Sequence, residues 1–185
     1  MTRPGFVLAL DLAGRTGFAR GWPSRREGKT VYVGSLVDYG ALDFKLHEGE
    51  HPGLRLRRVS NALTELCRYE GHQPSLIAWE GVVAGGAGRR TGATDLYVLE
   101  SRVVEIAGVL GIETATVWPS TLKKAAAGHG RADKAAMVRA ARKRWGLDAI
   151  ELPRDHEDEA DALCLLGVVL DDPRYGCVPP TPAAS

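Results

Sequence analysis

Two patterns of apolar and polar positions alternate along this chain. Short unbroken apolar runs read as buried strands, and longer stretches with apolar residues every three or four positions read as helices. Residues 6–11 (Phe-Val-Leu-Ala-Leu-Asp) are the first apolar run and end in an acid. Residues 12–17 form a tight turn, residues 18–22 a returning strand and residues 30–39 a third, with Gly and Pro between them. This predicts a three-stranded antiparallel meander. Residues 51–69 have helical spacing at Leu54, Val59, Leu63 and Leu66. Residues 75–80 (Ser-Leu-Ile-Ala-Trp-Glu) are a second buried strand that ends in an acid. A helix is predicted over 94–110, with apolar Leu96, Leu99, Val103, Ile106 and Leu110, then a strand over 112–118. Helices over 121–127 and 133–145 flank Gly128-His129-Gly130. Trp79 and Trp118 read as core residues on strands. The last element begins at Asp155 as a run of acids and becomes an apolar helix through Leu170.

The order β-β-β-α-β-α-β-α-α-α predicts an α/β fold. Strands separated by helices imply right-handed crossovers and parallel pairing. The expected sheet is mixed and five-stranded, three antiparallel strands then two parallel, with helices on both faces. One domain over residues 1–171 is expected, followed by a disordered Pro-rich tail over 172–185.

Composition adds limits rather than identity. With 44% hydrophobic and 25% charged residues, the chain reads as globular. Cys67, Cys164 and Cys177 have no CxxC spacing. That predicts a reducing compartment, with Cys67 and Cys164 as core residues rather than zinc ligands. No apolar run approaches the roughly 18 residues of a membrane span, and Asp11 interrupts the early apolar run, so no signal peptide is read. A cytoplasmic protein is expected.

Charge is distributed unevenly. Between Pro119 and Trp145 stand eight Lys/Arg and one acid; between Gly146 and Asp172 stand nine acids and one base. A basic segment beside an acidic one suits a protein that holds a polyanion and cuts it with metal ions. Asp11 and Glu80 end strands, and sites in open α/β sheets collect at the carboxyl ends of strands. Asp158 and Asp161, three apart, share one helix face. Four converging carboxylates repel strongly unless hard divalent cations lie between them, and Mg²⁺ suits carboxylate and phosphate oxygens. The acids Asp155, Glu157 and Glu159 read as solvated helix-start residues, with Asp155 a candidate cap. His129 and His156 are candidates for moving protons or orienting water, with bystander the commoner role for each.

These residues carry a resemblance. Asp11 followed by Thr16-Gly17, then Ile-Ala-Trp-Glu80-Gly, then the segment from Leu122 to Lys134, then Asp158-Glu-Ala-Asp161-Ala-Leu, resembles the RuvC family, Holliday junction resolvases of the RNase H-like superfamily. The resemblance implies an RNase H-like fold and an endonuclease that resolves four-way DNA junctions by symmetric phosphodiester hydrolysis, in recombination, repair or phage DNA processing. It implies that Asp11, Glu80, Asp158 and Asp161 hold two Mg²⁺ ions, with Mn²⁺ a substitute, and that the protein is a homodimer. It implies that Lys123 and Lys134 serve the DNA. Lys124 and Arg131 belong to the same basic segment. Arg89 and Arg90 lie on a Gly-rich loop that is not a P-loop, because no Lys-Ser/Thr follows its glycines; they are candidate phosphate contacts.

The chain also departs from the family. Its Asp-Leu-Ala-x-x-Thr-Gly turn is one residue shorter than in cellular bacterial members and is more similar to phage-type members. Where many members carry a base-stacking aromatic past Glu80, this chain has Val83. Two other readings suit the same residues: an RNase H-like nuclease acting on other branched DNA or an RNA–DNA hybrid, and a non-cutting junction-binding protein. The second is expected to lack one or more of the carboxylates. Apolar residues on the 94–110 helix exceed a narrow stripe, with Val98, Val104, Ala107 and Val109 as well, which predicts that part of it pairs with a second copy.

Overall fold

The computed structural model describes residues 5–23, 35–81, 90–172 and 174; for residues 90–94 it describes the backbone alone. The elements run β1 (Phe6–Asp11), β2 (Arg15–Trp22), β3 (Ser35–Asp43), α1 (Pro52–Leu66), β4 (Pro74–Glu80), α2 (Arg90–Leu110), β5 (Glu113–Val117), α3 (Pro119–Ala127), α4 (Lys134–Trp145) and α5 (Glu157–Asp171). This is the expected order.

The five strands form one sheet in the order β3-β2-β1-β4-β5. β1 to β3 are antiparallel, and β1–β4 and β4–β5 are parallel. Two cores cover the sheet. On one face Phe6, Leu8, Leu10, Ile77 and Trp79 pack with α1 and α2, through residues such as Val59, Leu63, Leu99 and Val103. On the other face Val7, Ala9, Leu76 and Ala78 pack with α3, α4 and α5. β1 and β4 are therefore central and buried on both sides, which is why they read as unbroken apolar runs. α5 is buried nearly all round, from Ala162 through Gly167, which explains its lack of a polar stripe.

Local chemistry sets the helix ends. α1 has Pro52 in its first turn, and its cap His51 accepts from the Gly53 N–H at 3.1 Å. Asp133 caps α4 by accepting from the Ala136 N–H at 2.7 Å.

Several boundaries and faces differ from expectation. β3 runs on to Asp43, because its ladder to β2 continues to the Arg15 pair; residues 30–34 lie outside the described set. On α1 Leu54 is exposed, and Arg55 takes the buried position. Arg55 Nε donates to the Phe44 carbonyl at 2.7 Å and Nη1 reaches Asp95 at 3.0 Å, which offsets the cost of burying the charge. Cys67 and Cys164 are buried, and burial pushes their thiols up to about 11 and about 12. Cys177 and residues 175–185 of the expected tail lie outside the described set. Among the described residues no helix is long and apolar enough to cross a membrane.

Candidate active site

The sheet brings the strand-end acids together. β1 and β4 pair in parallel with Leu10 opposite Trp79, so Asp11 and Glu80 leave the sheet side by side at the same edge. Asp11 also pairs with Gly17 of β2. Gly17 lies directly under the first turn of α5: a Cβ built there would stand 1.9 Å from the Asp158 carbonyl oxygen. Only a residue without a side chain allows that approach. The contact seats the start of α5 beside Asp11, and Asp158 and Asp161 come with it.

The electrostatics carry the signature of this convergence. Burial pushes the Asp11 carboxyl well above the usual carboxylate range, and the negative charges of Asp161, Glu80 and Asp158 push it further; Lys134 opposes them. Glu80 is raised by burial and by Asp161, with Lys123 opposing. Asp161 is pushed up to about 6 by burial; Lys123 and Lys134 pull it down, and Asp158 and Glu157 push it up. The Asp161 Oδ1 atom is buried with no hydrogen-bond partner among the described residues. Unsatisfied buried oxygens are rare and costly.

The residues around Asp158 are more tightly tied. Arg15 Nη1 donates to Asp158 Oδ2 at 3.3 Å, and Arg15 Nη2 to Glu159 Oε1 at 2.7 Å. Glu159 is not a solvated acid: it is 3% exposed, and its Oε2 has no partner. His156 occupies the N-cap position of α5, displacing Asp155 from that role, and makes no side-chain cap bond. Its Nδ1 lies 3.3 Å from Glu159 Oε1.

The basic residues divide. Lys123, on α3, faces Glu80 and Asp161 electrostatically. Lys134, at the start of α4, donates to Glu157, and that bond raises its ammonium pKa above the ordinary value. Lys124, His129 and Arg131 are exposed on α3 and the turn after it. Arg89 and Val83 lie outside the described residues; Arg90 opens α2, with its side chain outside the described set.

Arg15, Glu159 and Trp118 were missed as site neighbours. Arg15 follows Asp11 by four positions within a motif already singled out, which was the available signal. Trp118 is not core: it is 58% exposed and stands one residue past β5.

The set consists of four carboxylates, the oxygen donors that hard divalent cations take. As placed, no three His, Cys, Asp or Glu side chains among the described residues close around one point as a metal cluster. The donor chemistry and the orphaned Asp161 oxygen nevertheless fit a cation, which would remove the mutual repulsion.

No family model matches the sequence, and no curated protein matches it. Solved structures do. The chain is similar to the Thermus thermophilus RuvC structure, with a TM-score of 0.71 and 24% identity over 92% of this chain and 96% of that one. It is similar to T. thermophilus RuvC in complex with a Holliday junction substrate, with a TM-score of 0.73 and 21% identity over 93% and 96%. It is also similar to the yeast mitochondrial Holliday junction resolvase, with a TM-score of 0.64 and 13% identity over 92% and 80%. The fold is thus that of the RuvC structures and of the yeast mitochondrial Holliday junction resolvase.

Proposed function

We propose that this protein is a divalent-metal-dependent endonuclease that resolves four-way DNA junctions as a homodimer. One observation carries the reading: the charges of Glu80, Asp158 and Asp161 all bear on the buried Asp11 carboxyl at the carboxyl edge of β1 and β4, and a buried Asp161 oxygen lacks a partner among the described residues. The junction-bound structure of a protein with the same fold supports branched DNA as the substrate class.

In this reading the four carboxylates bind the cations. Mg²⁺, or Mn²⁺ in its place, would supply neutralising charge and lower the pKa of bound water. The reaction is phosphodiester hydrolysis: water adds at phosphorus in line with the departing 3′-oxygen, which leaves with a proton. Lys123, close to Glu80 and Asp161, attracts the phosphate against the negative site. Lys134 is held by Glu157 and offers its remaining donor capacity to the same strand. Arg15 fixes the Asp158 carboxylate by gripping it together with the buried Glu159. Lys124 and Arg131 extend the basic surface that follows the backbone.

The test is cutting of a synthetic four-way junction with and without Mg²⁺. Wild type cuts with Mg²⁺ and stops with a chelator. Asp11→Asn cuts slower by roughly a hundredfold or more. Undiminished cutting by Asp11→Asn sinks this assignment of the site.

A further inference from the structure

Three of the four tryptophans are accounted for by packing. Trp79 is buried and its indole N–H donates to Glu100 at 3.0 Å. Trp145 donates to the Leu163 carbonyl at 3.0 Å, and Trp22 packs edge-on against Phe6 and His72. Trp118 differs. It is 58% exposed, and among the described residues its indole N–H has no partner. An exposed tryptophan offers a large apolar ring face with a polar tip, and its place beside the carboxylate edge gives that face a use.

Its place in the sheet is informative. Glu80 pairs with Val117, and the Gly81 N–H donates to the Val117 carbonyl at 2.9 Å. Trp118 is the next residue, so the ring emerges at the same strand edge as the Glu80 carboxylate. Its six-membered ring rests against Gly81: a Cβ built there would lie 3.6 Å from Cε3 and 3.7 Å from Cζ3. Trp118 is also the N-cap residue of α3, with an extended backbone and no side-chain cap bond. Among the described residues no side chain caps this helix start, whose first N–H groups favour an anion. Lys123 and Lys124 follow on the same helix. An exposed aromatic ring at the carboxylate edge, at the start of a helix that carries two lysines further on, matches one nucleotide, base on ring and phosphate on cations.

We propose that Trp118 stacks on an unpaired nucleobase of the DNA strand held at the carboxylate site. The proposal rests on reading that site as a DNA-cutting centre, and it names Trp118 as the residue that captures a base there. The ring reads the π-face that every base has, so it acts as a splaying and positioning contact rather than a sequence reader.

The test measures binding of a four-way junction and of a single-stranded oligothymidine by tryptophan fluorescence, with junction binding in the Asp11→Asn background to prevent cutting. DNA is expected to quench the emission. Trp118→Phe should lose most of that quenching yet bind within about threefold, while Trp118→Ala binds on the order of tenfold more weakly. Unchanged affinity in Trp118→Ala with unchanged quenching in Trp118→Phe overturns the stacking and leaves the nuclease reading intact. Quenching that depends on Trp118, in a wild-type protein that cuts nothing, supports the stacking and removes the nuclease reading. Dissociation of a dimer by Trp118→Ala, with DNA affinity intact, assigns the ring to a subunit contact and overturns the proposal. A protein that binds neither DNA overturns both.

Discussion

Asp161 carries part of the cost of this site. Its carboxyl, pushed up to about 6 by burial, keeps a proton in the folded protein at pH values where the unfolded chain has lost it. Asp11 and Glu80 shift in the same direction. The native state thus binds more protons than the unfolded state between the ordinary value of 3.8 and about 6. Stability from this source is complete below that window and is lost as pH rises through it. With a chelator present, the melting temperature should fall between pH 5 and pH 7, and saturating Mg²⁺ should remove most of the fall. Thermal denaturation at the two pH values checks it; a rise from pH 5 to pH 7 in chelator counts against the assignment. At this scale the four carboxylates were legible, because a lone acid ending an apolar strand and a pair three apart on a helix are local patterns. Glu159 was not. A helix-start acid looks the same in sequence whether solvated or buried, and the difference rests on Arg15 of β2, 144 positions away.

The contact between β2 and α5 sets the site's geometry more than any other pair of elements. It depends on Gly17, whose Cα faces the Asp158 backbone with no room for a methyl group. Gly17→Ala should force the first turn of α5 outward, lower stability by about 2 kcal/mol or more, and weaken Mg²⁺ binding together with it. Urea denaturation and calorimetric Mg²⁺ titration measure the two; wild-type values for both would mean that the turn yields freely. Elements were legible where periodicity was unambiguous, as in β1, β4 and α4. Faces were less so. Leu54 and Arg55 both suit a helix that docks by one side, and Arg55 won its place through the Phe44 carbonyl and Asp95, partners far off in sequence. Trp118 reads as the last residue of a strand over 112–118, yet the ladder stops at Val117 and Pro119 starts α3.

Across the whole molecule, the uneven charge has a structural counterpart: Lys123 of α3 and Lys134 of α4 face the acids that open α5, and Arg144 of α4 pairs with Asp171 at its other end. The fold was legible because connection order, crossover handedness and buried-strand patterning leave few arrangements. Assembly is harder to read from one chain. On α2, Val104 is 50% and Val109 82% exposed. A homodimer that buries this face should appear in light scattering at twice the 19.9 kDa of the chain. Val109→Glu should shift it toward monomer. A wild-type protein of single-chain mass at micromolar concentration rejects the dimer.

The central claim is that this carboxylate site cuts a four-way junction. The most direct measurement is the rate of cutting, with Mg²⁺, of three substrates matched in sequence: a synthetic four-way junction, a linear duplex and an RNA–DNA hybrid. A junction resolvase gives paired symmetric nicks in the junction and little cutting of the other two. Equal cutting of all three, or preference for the hybrid, contradicts the claim.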